Sequence, residues 1–262
     1  MDFDCEILKN ECLNSGYKRV IFNAPEIAKA ARGGQFVHVQ IETMKDRILR
    51  RPFSISNTDP ATGELTVVYK VVGHGTEELA RLRPGDHCRI LGPLGNAYTA
   101  PDQDTFPILA AGGYGTAALY LVAKNAPRKG ILLLGARTAD DLILVEEFEK
   151  IGFEVRVATN DGSAGQKGFV TELLDGALAG QDPEKCTVYG CGPTPMLLAL
   201  GKLTLEKKIN AELSLDQHMC CGVGACFACV VKVKDETSPD GWRYSRSCKE
   251  GPVYNATEVY YG

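Results

Sequence analysis

The chain has 262 residues, 44% of them hydrophobic, with 29 Lys and Arg against 33 Asp and Glu for a formal net charge of −4. That length can bury a substantial core and leads us to expect more than one domain. The acidic balance argues against a nucleic-acid footprint. The start, MDFDCEILKN, lacks a basic n-region and an apolar h-region, so no secretory signal is expected. No apolar run reaches the ~18 residues that a membrane span needs, and the expected location is the cytoplasm. In such a reducing compartment the ten cysteines argue for metal or redox chemistry over disulfides.

Residues 1–100 form the first expected domain. Short alternating or β-branched runs, QFVHVQIE, LTVVYKVV and HCRILGPLG, are broken by turn signals and read as an antiparallel β-barrel. Arg51-Pro52-Phe53-Ser54 lies in this zone after Arg50. An R-x-[YF]-S stretch on a barrel strand resembles the flavin motif of the ferredoxin reductase superfamily. Arg51 would offer a planar fork to a pyrophosphate, and Phe53 an apolar face to the flavin; a strand end with a solvated arginine explains the same residues. Further on come Val68-Tyr69-Lys70 and Gly73-His74-Gly75-Thr76. Gly75 and Thr76 read as a strand-to-helix junction, with Thr76 as the N-cap and His74 in the loop. Such a helix start favours a diphosphate, although ordinary capping needs the same residues. Both motifs on one β domain point to FAD.

Residues 101–215 form the second expected domain. Compact apolar strands (FPILAA, GILLLGA, FEVRVAT, CTVYG) alternate with helical runs (TAALYLVAKNA, LVEEFEKI, VTELLDGALA, PMLLALGKLTLEKK), which implies βαβ units and a parallel sheet. Gly112, Gly113 and Gly115 follow the first strand and open a helix, as a phosphate-cradling loop requires. Gly190-Cys191-Gly192-Pro193 follows CTVYG. It resembles the CGP element beside the nicotinamide in ferredoxin-reductase-like enzymes, which makes Cys191 a candidate catalytic residue; a simple turn with Pro at a helix start is the alternative. Asp161, if near the adenosine ribose, would repel a 2′-phosphate, and no basic cluster is evident there. That favours NAD over NADP.

Residues 216–262 form the third, and show no convincing apolar core. Cys221, Cys226 and Cys229 have C-x4-C-x2-C spacing and Cys248 follows at a distance, the plant-type [2Fe–2S] pattern. Gly222 and Gly224 allow a tight loop that aims N–H groups at the sulfurs. Structural zinc is the alternative, though four-cysteine zinc sites more often pair two short knuckles. Cys220 is an extra thiol, and Cys5, Cys12, Cys88 and Cys186 read as small core residues.

Taken together, RRPFSIS at 50–56, GHGT at 73–76, AAGGYGTA at 110–117, YGCGP at 189–193, CGVGACFAC at 221–229 and SCKEGPV at 247–253 resemble the electron-transfer subunits of NAD-dependent (class 1B) dihydroorotate dehydrogenases. The resemblance covers essentially the whole chain. It implies a flavin barrel, an NAD-binding α/β domain and a small [2Fe–2S] domain. It implies electron transfer from the FMN of a separate catalytic subunit, through the cluster and FAD, to NAD+, within a heterotetramer serving pyrimidine biosynthesis. A related subunit of a sulfide- or ferredoxin-linked NAD(P) oxidoreductase is the competing expectation.

Overall fold

The computed structural model describes residues 1–14, 16–44 and 48–262. The first part is built from β1 (Asp2–Asn14), β2 (Tyr17–Asn23), α1 (Pro25–Ala30), β3 (Phe36–Ile41), β4 (Arg51–Ser54), β5 (Asn57–Asp59), β6 (Glu64–Lys70), α2 (His74–Arg81) and β7 (His87–Leu94). Its strands form one antiparallel sheet in the order β4-β3-β7-β1-β2-β6-β5. Two consecutive residues bring its ends together. Ile55 N–H donates to Gln35 O beside β3, and Ser56 N–H to Thr66 O on β6, both at 3.0 Å. Alternation fills the interior: Ile7, Phe22, Val37, Val39, Leu65, Val67 and Ile90 all point into one core. The outward residues of β3 are Phe36, His38 and Gln40.

Helix α2 caps one end of this barrel. Asn10 donates from Nδ2 to the carbonyls of Leu79 and Leu82 at 2.8 and 2.9 Å, and so satisfies its last turn. The N-cap is Gly73, not Thr76, and His74 is the first helical residue, not a loop residue. Thr76 lies a turn inside. Its hydroxyl donates to Gly73 O at 2.9 Å and accepts from Val72 N–H at 2.9 Å, which ties the preceding loop to the helix.

The second part contains β8 (Phe106–Gly112), α3 (Gly115–Asn125), β9 (Ile131–Ala136), α4 (Val145–Lys150), β10 (Glu154–Thr159), β11 (Gln166–Lys167), α5 (Leu174–Leu178), β12 (Cys186–Cys191), α6 (Thr194–Glu206) and β13 (Asn210–Ser214). The expected helix over VTELLDGALA is instead a 3-10 turn at Val170–Leu173 followed by the short α5; Gly176 weakens it. The sheet order is β11-β10-β9-β8-β12-β13, all parallel, with helices on both faces. Ile108, Ala110 and Leu133 face α5 and α6, while Leu109, Ala111, Leu132 and Leu134 face α3 and α4. Burial on both faces explains why these strands read as unbroken apolar runs.

The C-terminal segment holds β14 (Val230–Lys234), β15 (Trp242–Arg246) and β16 (Val253–Asn255). β14 and β15 pair with each other, and β16 joins the large sheet as an antiparallel edge strand beside β13. Here the structure corrects the expectation that this segment lacks an apolar core. Val231, Val233, Tyr254, Ala256 and Val259 are packed into the same core as Ile108 and Leu213. The segment shares the core of the α/β part rather than building its own. Among the described residues no helix is long and apolar enough to cross a membrane.

Candidate functional site

On the barrel, the two motifs read from the sequence meet. A Cβ on Gly75 would lie 2.5 Å from Arg51 Nε, so helix α2 begins directly against the arginine. The two adjacent arginines differ. Arg50 is held by both carboxylate oxygens of Asp2, at 2.8 and 2.9 Å. Arg51 donates only to Leu49 O at 2.5 Å, and has no carboxylate partner among the described residues. Pro52, Phe53 and Ser54 are half-buried along β4. Tyr69 turns into the barrel, where its hydroxyl bonds Asn10 Oδ1 at 3.1 Å, so only its backbone faces outward. β5 covers β6 only as far as Thr66, which leaves the Val68–Lys70 edge without a strand partner opposite β2 among the described residues. A cationic fork, a helix N-terminus and an uncovered strand edge therefore lie together, and these fit a flavin dinucleotide.

In the α/β part the strand order reverses between β9-β8 and β12-β13, and ligands of such sheets bind at that switch point. Both glycine loops lie there. Gly115 cannot carry a side chain: its Cβ would sit 2.2 Å from Cys191 O. A cavity of ≈ 600 Å³ opens above them, lined by Gly112, Gly113 and Pro193 together with Tyr17 and Lys70 from the barrel. Cys191 and Gly192 lie beneath it. Cys191 is 4% exposed, and burial, then the Asp216 carboxylate, push its thiol up to about 12. It is a neutral thiol, not a nucleophile. The acidic residue of the cavity is not Asp161, whose carboxylate turns away to Ser163 N–H at 3.0 Å and Ser163 Oγ at 2.6 Å. Asp141 lines it instead, holding Lys70 at 2.7 Å and Arg137 at 3.1 Å. Arg137, also on the cavity wall, stands with Lys70 as a second cation where the sequence showed no basic cluster. Sequence reasoning missed Tyr17, Arg137, Asp141 and the exposed Phe169; the GART stretch at 135–138 was the available signal.

The cysteine loop closes over the outer face of β3. Its four thiols lie as two pairs. Ala225 N–H donates to Cys221 Sγ at 3.3 Å, with the Cys226 side chain adjacent. Cys248 N–H donates to Cys229 Sγ at 3.4 Å. Burial raises the Cys221 thiol, but N–H groups of Val223, Cys226 and Ala225 and the Cys226 side chain outweigh it and bring it down to about 6. Burial and the neighbouring Cys229 push Cys248 up. Among the described residues no three such groups close on one point as a single metal ion needs. Two thiol pairs fit a two-iron cluster better than tetrahedral zinc. Gly222 has φ +69, and a Cβ there would lie 2.7 Å from the His38 ring, so the loop approaches β3 as closely as backbone allows. Burial, with Arg50 adding, pushes His38 down to about 4. Cys220 lies half-exposed outside both pairs. Cys5, Cys88 and Cys186 are core residues as expected, but Cys12 is exposed, because it points outward from β1, and bonds Asn14 O at 3.2 Å.

Comparisons agree with this arrangement. Residues 4–98 match the family model "Oxidoreductase FAD-binding domain", and residues 216–260 match "Iron-sulfur cluster binding domain of dihydroorotate dehydrogenase B". The chain is 35% identical over 261 residues to the electron transfer subunit of dihydroorotate dehydrogenase B (NAD(+)) of Fusobacterium nucleatum, spanning 98% of this chain and 97% of that protein. It is 38% identical over 260 residues to the protein of the same name from a Geobacillus species, spanning 97% and 94%. A chain in the structure of an NADH-dependent reduced ferredoxin-NADP oxidoreductase superposes with TM-score 0.83 at 32% identity, covering 98% of this chain and 90% of that one. The ferredoxin reductase of carbazole 1,9a-dioxygenase, at TM-score 0.68 and 21% identity, shares the fold over 80% of this chain and 66% of its own. The chain belongs to the family of electron transfer subunits of NAD(+)-dependent dihydroorotate dehydrogenase B.

Proposed function

We propose that this chain links dihydroorotate oxidation, carried out at the FMN of a partner catalytic subunit, to reduction of NAD+, as one of the two kinds of subunit in a cytoplasmic heterotetramer. The observation that carries the reading is the order of three sites along one chain: flavin cradle, nucleotide crevice and paired thiols. A flavin and a [2Fe–2S] cluster, when bound, supply the exchange between one-electron and hydride chemistry. The residues of this chain then divide the holding. Arg51 and the N-terminus of α2 take the flavin pyrophosphate, Phe53 and Ser54 flank the ring system, and the Val68–Lys70 edge offers backbone groups. Gly112, Gly113, Gly115, Gly192 and Pro193 shape the crevice for the dinucleotide, with Cys191 packed below the nicotinamide end. Phe169, 64% exposed on the cavity wall, offers a face for adenine. Cys221, Cys226, Cys229 and Cys248 ligate the iron.

The partner docks over the cysteine loop. Phe227 is 60% exposed and Val223 50% exposed, and Phe227 has φ 58, a left-handed conformation that bulky residues rarely adopt. That backbone turns the ring outward instead of into its own loop, with the Arg246 guanidinium over it at 5.0 Å. An apolar lip beside a redox centre fits a protein partner.

Arg51→Ala is expected to weaken FAD retention about ten- to a hundredfold, since a charge-assisted contact is worth ~1.5–3 kcal/mol. Fluorescence titration of apoprotein measures it; an unchanged dissociation constant removes Arg51 from the flavin site. The reading as a whole is tested by anaerobic titration of purified protein with NADH or NADPH. NADH should bleach the flavin much the faster, because Asp141 already engages both cations of the cavity, Lys70 and Arg137, and leaves neither free to take a 2′-phosphate. Equal or faster bleaching by NADPH would favour the second reading, a subunit like the ferredoxin-NADP oxidoreductase chain that is 32% identical.

A further inference from the structure

Among the described residues His38 is the buried histidine, and its ring has no polar partner. It lies on the outward face of β3, opposite Pro52 of β4 and Leu91 of β7. Alternation would leave such a residue in solvent, yet it is 0% exposed. The cysteine loop covers it. Gly222, adjacent to the ligand Cys221, meets the edge of the ring that carries both nitrogens, its Cβ position lying 2.7 Å from Cε1, 2.8 Å from Nε2 and 2.9 Å from Nδ1. Phe36, two residues earlier on the same face, packs against Cys229 and Cys248 and stacks at a tilt on His38 with ring centroids 5.6 Å apart. The imidazole is thus sealed between the barrel and the cysteine loop, with Gly222 over its edge and Phe36 beside it. Neither Nδ1 nor Nε2 has a hydrogen-bond partner among the described residues. A buried ring nitrogen without a partner is costly, and native folds seldom keep one without a reason.

We propose that His38 is a positioning residue for the [2Fe–2S] cluster: its ring N–H donates to a sulfur of the bound cluster and favours the reduced, more negative state. The inference rests on the reading that the four thiols hold such a cluster. A donor to a cluster sulfur stabilises added negative charge and raises the potential. His38 acts from the flavin-bearing barrel, so a barrel side chain sets the energy of a centre held by another part of the chain. The ring that fills the space under Gly222 is also the ring that answers the cluster.

The test uses the intact complex, or the full-length chain, with its cofactors bound. The chain has four histidines. With all of them 15N-labelled, pulsed EPR of the reduced cluster should show a weak imidazole 15N coupling. It should vanish in His38→Leu and persist in His218→Gln. In His38→Leu the ratio of reduced to oxidised cluster at a fixed ambient potential should fall about tenfold, equivalent to 59 mV for a one-electron couple. His38→Gln, which restores a donor, should recover most of the loss, and the flavin potential should not move. A wild-type cluster with a normal signal but no imidazole coupling would overturn the proposal. So would an unshifted potential in a cluster-loaded His38→Leu, or a shift of the flavin instead. Should His38→Leu fail to take up the cluster, the wild-type coupling alone decides. No reduced-cluster signal in wild type would mean that the four-thiol reading itself is wrong.

Discussion

Cys229→Ser should eliminate the reduced-cluster EPR signal while leaving the flavin bound and reducible by NADH. Cys229 is 2% exposed and packs with Cys248 and Phe36, so a serine there loses a thiolate ligand on the buried side of the site. The consequence for stability is local. Metal ligation often carries the folding of a small cysteine-rich unit, and a segment without its own core would come apart over 216–262. Here Val231, Val233 and Val259 sit in the core of the large sheet. At ~1.5–3 kcal/mol for each buried side chain, they hold β14 and the chain end without help from iron. Hydrogen exchange should therefore rise across residues 217–229 and stay slow across 253–259. A retained cluster signal would show the ligand assignment to be wrong. Exchange spreading through β16 would show that ligation, not the shared core, secures the edge strand.

The second large effect is a division of labour. The chain by itself should oxidise dihydroorotate with NAD+ at less than about a thousandth of the rate of the complex with its FMN-bearing partner, because the described residues include no positioned base with polar anchors around it. The ≈ 600 Å³ cavity is walled mainly by glycine, proline and apolar groups. Its Lys70, Asp141 and Arg137 are bound to one another. The nearest thiol, Cys191, is buried and held neutral, with its titration pushed up to about 12. Nothing there can take a proton from a pyrimidine ring. Co-expression followed by an assay of dihydroorotate-dependent NADH formation decides the point. Turnover by the lone chain would refute the division; two cofactor-loaded proteins that do not associate would point to a different partner.

What could be read from the sequence was what local chemistry fixes. Cysteine spacing in a glycine loop needs no tertiary knowledge, and neither does a strand of FPILAA buried on both faces. RPFS stood out because an arginine before an aromatic strand is a short, local pattern. What escaped depended on distant contacts. Thr76 has the chemistry of an N-cap, but Gly73 takes that place because the preceding backbone is already extended there, with φ 169. Asp161 has the right charge and the wrong direction, since Ser163 captures its carboxylate. β16 is three residues long, too short for any periodicity, and its pairing with β13 is what anchors the C-terminal segment. His38 sat in plain view in FVHVQI as an alternating outward residue. Only the loop folded from nearly two hundred residues downstream makes it buried.

That pairing of β13 with β16 also says something about modular architecture. Ser214 lies opposite Val253, and Leu215 N–H donates to Pro252 O at 2.8 Å. The chain thus leaves the sheet edge and returns to it one strand spacing away, ~4.8 Å. Residues 216–251 are a cartridge clipped between the two arms of a hairpin. A tight turn of Asn-Gly type could join those arms directly, and the sheet would keep its edge strand while the chain lost its one-electron centre. The cost would fall on both neighbours: the large sheet would lose Val231 and Val233 from its core, and on the barrel Phe36 and His38 would be stripped of their cover and left on the surface. A graft of this cartridge onto a simple flavin reductase should therefore carry two outward residues of β3 along with it, or the transplanted loop will have nothing to sit on.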